Sequence, residues 1–230
     1  MRNVYWMLGG GILLAFLSGS VLYSSILPRA LSKKDITRMS DDGNPGAFNA
    51  FRYAGKAVGA LCLVCDILKG ALPVMLMSPL YLRHPALFGA LIAAPVFGHA
   101  FSPFAGMHGG KGIAVSFGVM LGLFPQFPEL VWLIVLYLGF SLVIRVDPNQ
   151  WRSVLTFTAF ALLALRFEEY FGMRLGVLLV CAAVLYRHCL GLHRQAMQIS
   201  LFRRRLVTLR SLQEMVERRR AQKDRFSKRQ

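Results

Sequence analysis

The chain has 230 residues, of which 55% are apolar, with mean hydropathy +0.49 and formal net charge +16. That is more apolar than a soluble domain of this length and points to a membrane protein. The four cysteines include one Cys-x-x-Cys, Cys62 and Cys65, but it sits in an apolar run without a thioredoxin-like strand pattern, so they read as ordinary thiols. Among the five histidines there is neither a His-Glu-x-x-His, which argues against a zinc protease, nor a His-x-x-x-x-Asp, which excludes the acyltransferases that use that pair as their base.

From the N-terminus, Val4 to Leu27 supplies 24 residues without Lys, Arg, Asp or Glu, more than the roughly 20 needed to cross a ~30 Å hydrocarbon core. It is too long for the apolar part of a cleaved signal and predicts a retained anchor. Six further apolar runs follow, at Ala57 to Leu82, Pro85 to Gly106, Gly112 to Phe124, Phe127 to Val146, Ser153 to Leu165 and Gly172 to Tyr186. The last two are short and need flanking Trp151, Arg152, Tyr170 or Arg187 to reach the interface. None alternates with a period of two, so the expected fold is all-α, with about seven transmembrane helices rather than a barrel. Of the 27 Lys and Arg residues, 22 fall in alternate loops and in the tail from Arg187. The positive-inside rule then puts those loops and the C-terminus in the cytoplasm and the N-terminus outside. The charge is thus a membrane-side feature rather than a nucleic-acid signature. Residues 1–190 form the membrane body and 191–230 a basic tail. In that tail Phe202, Leu206, Leu209 and Val216 recur at helical spacing, favouring an amphipathic surface helix over a disordered segment.

Two loops on the inferred cytoplasmic side join glycines to one strong cation. The first contains Asp41-Asp42-Gly43-Asn44-Pro45-Gly46-Ala47, followed by Asn49 and Arg52. The second is His108-Gly109-Gly110-Lys111-Gly112 before an apolar run. Glycine lets backbone N–H groups approach an anion, and a following helix N-terminus adds positive potential, so such loops suit phosphate. Lys111 would act as a point charge and Arg52 as a bidentate fork. Each loop alone also reads as an ordinary turn, and neither is a Walker motif. Asp66 and Lys69, three residues apart within an apolar run, are expected to pair with each other. His99 either meets a substrate oxygen, positions the following loop, or satisfies a carbonyl at a helix end.

Taken together and in order, these segments resemble the bacterial acyl-phosphate:glycerol-3-phosphate acyltransferases of the PlsY type, from about Ser18 to His188. The carriers are Gly43-Asn44-Pro45-Gly46-Ala47 with Asn49 and Arg52, Gly55-Lys56-x-x-Gly59, Asp66-Ile67-Leu68-Lys69-Gly70, Gly98-His99-x-Phe101 and Gly109-Gly110-Lys111-Gly112. The resemblance implies an inner-membrane enzyme that moves a fatty acyl group from acyl phosphate to the 1-hydroxyl of glycerol 3-phosphate. It implies lysophosphatidic acid as product and no need for acyl-CoA, metal or other cofactor. Its partners would be those two substrates and membrane lipids. The implied catalytic set is Lys111, Arg52, His188 and Asp42, with Gly43, Asn44, Gly46, Asn49, His99, Gly109, Gly110, Gly112 and Ser153 around the phosphate.

Three positions depart from that family. Asp42 stands where serine is usual before Gly-Asn; it could point away as a turn residue, pair with Arg52, act as a base or read a different acceptor. Ser40 could replace the serine only if the loop carries an extra residue. Gly191 follows Tyr186-Arg187-His188 where asparagine is usual, with His193 nearby but out of register, and Val115 and Ser116 replace the threonine after Lys111-Gly112. A non-catalytic lipid-binding or scaffold paralogue is therefore a second reading. A small-anion transporter using Asp66 and Lys69 as a coupling pair is a third, for which no internal repeat is evident.

Overall fold

The computed structural model describes residues 2–190, 197–201 and 204–208, and the chain is mostly helical. Its helices are α1 (Arg2–Ser20), α2 (Tyr23–Ser32), α3 (Ile36–Met39), α4 (Ala47–Ala54), α5 (Lys56–Tyr81), α6 (Pro85–Ala100), α7 (Ile113–Leu123), α8 (Glu129–Leu138), α9 (Asn149–Phe167) and α10 (Phe171–Cys189). Every apolar run seen in the sequence contributes a helix, but the run Phe127 to Val146 ends in a strand, so the fold is mostly helical rather than all-α. Among the described residues four segments are long and apolar enough to cross a membrane: Val4–Ser32, Lys56–Tyr81, Pro85–Ala105 and Phe171–Cys189. By contrast α7, with 11 residues, rises only about 16 Å, half of a ~30 Å core.

The first anchor is not one unbroken helix. It stops at Ser20 and restarts at Tyr23, and the carbonyls freed at the break are taken by side chains from elsewhere. Lys69 Nζ donates to Val21 O at 2.6 Å, and Ser102 Oγ donates to Ser20 O at 2.7 Å. In an apolar surrounding such groups must be paired within the protein.

Helix α6 is the centre of the bundle. It is apolar all round, and 11 of its 16 residues are buried, as expected of a core helix with no polar face. Two glycines bring α1 against it: a Cβ at Gly19 would strike Pro95 O and one at Gly98 would strike Phe16 O. Phe88, Leu91, Ile92, Val119, Phe157 and Val177 pack the common core. Outward-facing apolar side chains such as Trp6 (77% exposed), Leu76 (70%) and Leu142 (71%) clothe the periphery. So large an exposed apolar surface fits hydrocarbon rather than water.

Helix α8 runs through a π-helical turn, Gly139–Val143, into strand β1 (Ile144–Asp147). Beside it lie β2 (Gln198–Leu201) and β3 (Arg204–Thr208), in the order β1-β2-β3 and antiparallel throughout. Ile144 pairs with Leu201 and Asp147 with Gln198. Residues 204–208, around Leu206, are therefore strand rather than part of the expected surface helix. Phe202, Leu209, Val216, Gly191 and His193 lie outside the described residues.

Candidate active site

The loops with the Lys and Arg excess converge on a cavity of about 940 Å³, within the range of ligand-sized pockets. Its wall includes ten of the thirteen site residues read from the sequence: Asp42, Asn44, Gly46, Asn49, Arg52, His99, Lys111, Gly112, Ser153 and His188. Gly43, Gly109 and Gly110 stand outside the wall, as does Ser40. Helix α4 carries Asn49 and Arg52. The α6–α7 loop brings Lys111, and Gly112 starts α7 at φ 79°, a left-handed conformation that a side chain would strain.

Asp42 has a partner none of the sequence alternatives named. Its Oδ2 lies 2.7 Å from Lys111 Nζ, while Oδ1 accepts from Asn49 Nδ2 at 3.0 Å and from the Asn44 N–H at 3.2 Å. Its partner is therefore Lys111 rather than Arg52. Burial raises its pKa, but the hydrogen bond and charge of Lys111, with help from Asn49 and Asn44, outweigh that effect and leave the carboxyl below its usual value.

The glycines before Lys111 also differ from expectation. Their N–H groups are committed to the end of α6, with Gly109 N–H donating to Ala100 O at 3.2 Å and Gly110 N–H to His99 O at 3.0 Å. They satisfy carbonyls left open where the helix stops, so they serve the loop rather than an anion. Arg187 fastens the other side, donating from Nε to Gly110 O at 3.3 Å and from its terminal nitrogen to Gly109 O. A Cβ on Gly110 would collide with the His99 ring.

Beneath the loop lies a buried polar cluster. Lys69 Nζ is 2.9 Å from Asp66 Oδ1 and 2.8 Å from His99 Nδ1, and Ser24 Oγ donates to Asp66 Oδ2 at 3.0 Å. The expected Asp66–Lys69 pair is present, and His99 joins it. An ammonium can only donate, so His99 Nδ1 accepts and its proton is assigned to Nε2. His188 has the opposite tautomer. Its Nδ1 lies 2.8 Å from Val184 O, which can only accept, leaving Nε2 as the lone-pair nitrogen of a ring on the cavity wall.

Sequence reasoning missed Arg152, which it placed at the membrane interface. Arg152 lines the cavity, with its guanidinium over the Tyr137 ring at 5.5 Å and a hydrogen bond to Asn149 Oδ1. Ser153, on the next residue of α9, donates to Asn149 O at 3.0 Å. Its position directly before Ser153 was the available signal. Gln198 of β2 also lines the wall, which no local pattern could indicate. Leu63, Ile67, Ile113, Phe117 and Tyr137 contribute apolar surface to the same wall. The cavity can thus hold an amphiphilic anion, with its charge at Lys111, Arg52 and Arg152 and its chain along α5, α7 and α8. Among the described residues no group of three or more His, Cys, Asp or Glu could hold a metal ion.

Residues 10–197 match the family described as Glycerol-3-phosphate acyltransferase. Curated relatives carry the same description. One from Streptococcus gordonii is 34% identical over 186 residues, covering 77% of this chain and 84% of that protein. One from Myxococcus xanthus is 42% identical over 115 residues, covering 50% of this chain and 59% of that protein. The fold is similar to the crystal structure of PlsY, an integral membrane glycerol 3-phosphate acyltransferase, in its glycerol 3-phosphate form. That match has a TM-score of 0.70 at 24% identity and covers 82% of this chain and 91% of PlsY.

Proposed function

The chain belongs to the glycerol-3-phosphate acyltransferase family, and from that premise we propose that it transfers a fatty acyl group from acyl phosphate to the 1-hydroxyl of glycerol 3-phosphate. The product is lysophosphatidic acid, made for phospholipid synthesis. The enzyme sits in the bacterial inner membrane with seven crossings, its N-terminus outside and the cavity open to the cytoplasm. The basic tail after residue 190 faces the same side.

The observation that carries this reading is one cavity whose wall brings Lys111, Arg52 and Arg152 together with apolar side chains of α5, α7 and α8. Both proposed substrates are anions, and one has a long chain. Phosphate is already a good leaving group, so the protein's task is to align the reactants and stabilise charge. The acceptor oxygen bonds to the acyl carbon as the carbon–oxygen bond to phosphate breaks, and the hydroxyl proton leaves with the released phosphate. Lys111, Arg52 and Arg152 oppose the negative charge on the phosphates. His188 Nε2 accepts a hydrogen bond from the attacking hydroxyl. No acyl-enzyme is needed.

The test is purified protein in lipid vesicles given acyl phosphate and labelled glycerol 3-phosphate. Label appearing in lysophosphatidic acid supports the proposal. Binding without turnover would assign the chain to the scaffold reading, and turnover with acyl-CoA but not with acyl phosphate would contradict the proposed donor.

A further inference from the structure

Three groups that suit a substrate phosphate are held by the protein's own carboxylate. The Lys111 ammonium, the Asn49 amide and the Asn44 N–H all converge on Asp42, at 2.7, 3.0 and 3.2 Å. An ammonium, a side-chain amide and a turn N–H are the donors an oxyanion would otherwise recruit. The contact is also open to exchange: the Lys111 and Asp42 side chains are 22% and 36% exposed, and both lie on the cavity wall. No other carboxylate bonds Lys111 among the described residues.

We infer that Asp42 is an internal ligand of the phosphate loop, which an incoming phosphate must displace, and that this displacement selects doubly charged phosphate monoesters over singly charged anions. A monoanion entering the loop exchanges one carboxylate-like charge for another and gains little. A phosphate monoester brings about −1.5 to −2 charges near pH 7 and three acceptor oxygens, so it gains attraction to Lys111 and can use Arg52 and Arg152 as well. Asp42 therefore sets a threshold of charge for occupancy of the site. The inference rests on the acyltransferase reading only in its choice of glycerol 3-phosphate as ligand.

Binding measured without turnover separates the two. The purified protein in lipid nanodiscs is titrated with inorganic phosphate, glycerol 3-phosphate and glycerate, a monoanion. Asp42→Asn is expected to bind phosphate and glycerol 3-phosphate about tenfold more tightly and to acquire measurable glycerate binding. Glu169→Gln, at an exposed carboxylate outside the cavity wall, should change each affinity by less than about twofold, because long-range charge is screened. The gain should vanish when Asp42→Asn is combined with Lys111→Ala. Asp42→Ser serves as a second variant should the asparagine protein fail to fold. Unchanged or weaker phosphate binding in the Asp42 variants would overturn the inference, as would an equal gain in Glu169→Gln. A protein that acylates nothing could still pass this test, and an active enzyme could still fail it.

Discussion

The molecule contains two aspartate–lysine pairs of nearly the same length, and they do different work because their surroundings differ. Asp66 and Lys69, 2.9 Å apart, are 2% exposed on both sides and belong to one helix. Asp42 and Lys111, 2.7 Å apart, join two loops at the cavity wall with 36% and 22% exposure. The buried pair satisfies itself and its neighbours, taking in His99, Ser24 and the Val21 carbonyl, so its polar atoms are already engaged within the protein. The open pair is held by contacts that a substrate anion can replace. Burial therefore assigns one pair to architecture and the other to ligand exchange.

The largest expected effect comes from breaking the sealed pair. Lys69→Ala leaves Asp66 without its counterion and removes one of the two hydrogen bonds to the Val21 carbonyl, a loss of about 3–5 kcal/mol. Thermal unfolding in detergent should show it as a large drop in midpoint. Replacing both members by apolar residues should recover part of it, because the uncompensated charge is gone. An unchanged midpoint for Lys69→Ala would erase the distinction between the pairs.

A smaller effect should follow from disturbing the contact between the two regions. Gly110→Ala would drive a methyl into the His99 ring, moving either the ring from Lys69 or the loop that carries Lys111. Activity should fall roughly tenfold to a hundredfold with little change in unfolding midpoint, read as kcat against thermal stability. Retained activity would show that the loop does not rest on His99.

The smallest effect concerns an exposed carboxylate outside both pairs. Hydrogen bonding from Thr37, together with Arg29 at 3.0 Å, holds Asp35 at about 2. A depressed carboxyl stabilises the fold above its unfolded value near ~3.9, and that contribution is lost as pH falls through about 2. Asp35→Asn should therefore narrow the gap in stability between pH 4 and pH 2 relative to the unmodified protein, and an identical acid profile would contradict the assignment.

Much of this was legible in the sequence for physical reasons. Apolar runs free of charge have few options in lipid, so Ala57 to Leu82 and Gly172 to Tyr186 reappear within a few residues as α5 and α10. The spacing of Asp66 and Lys69 fixed their meeting on one helix face. What failed depended on partners distant in the chain. Nothing between Val4 and Leu27 marks the break at Val21, which Lys69 stabilises across 48 residues. The Asp42–Lys111 contact spans 69 residues, so local reasoning considered only the nearer Arg52. Glycines 109 and 110 suit an anion or a helix end equally well, and only the position of α6 decides. The strand at 204–208 exists through pairing with β2 and, beyond it, β1, which overrides a helical spacing of apolar residues.

The most direct test of the contrast is the initial rate of glycerol 3-phosphate acylation by Lys111→Ala in lipid vesicles, compared with unmodified protein at equal folded amounts. Loss of a cation that faces the cavity should lower the rate by at least about a hundredfold and leave the unfolding midpoint within a few degrees, since no buried group depends on Lys111. An undiminished rate in the alanine protein would contradict the account.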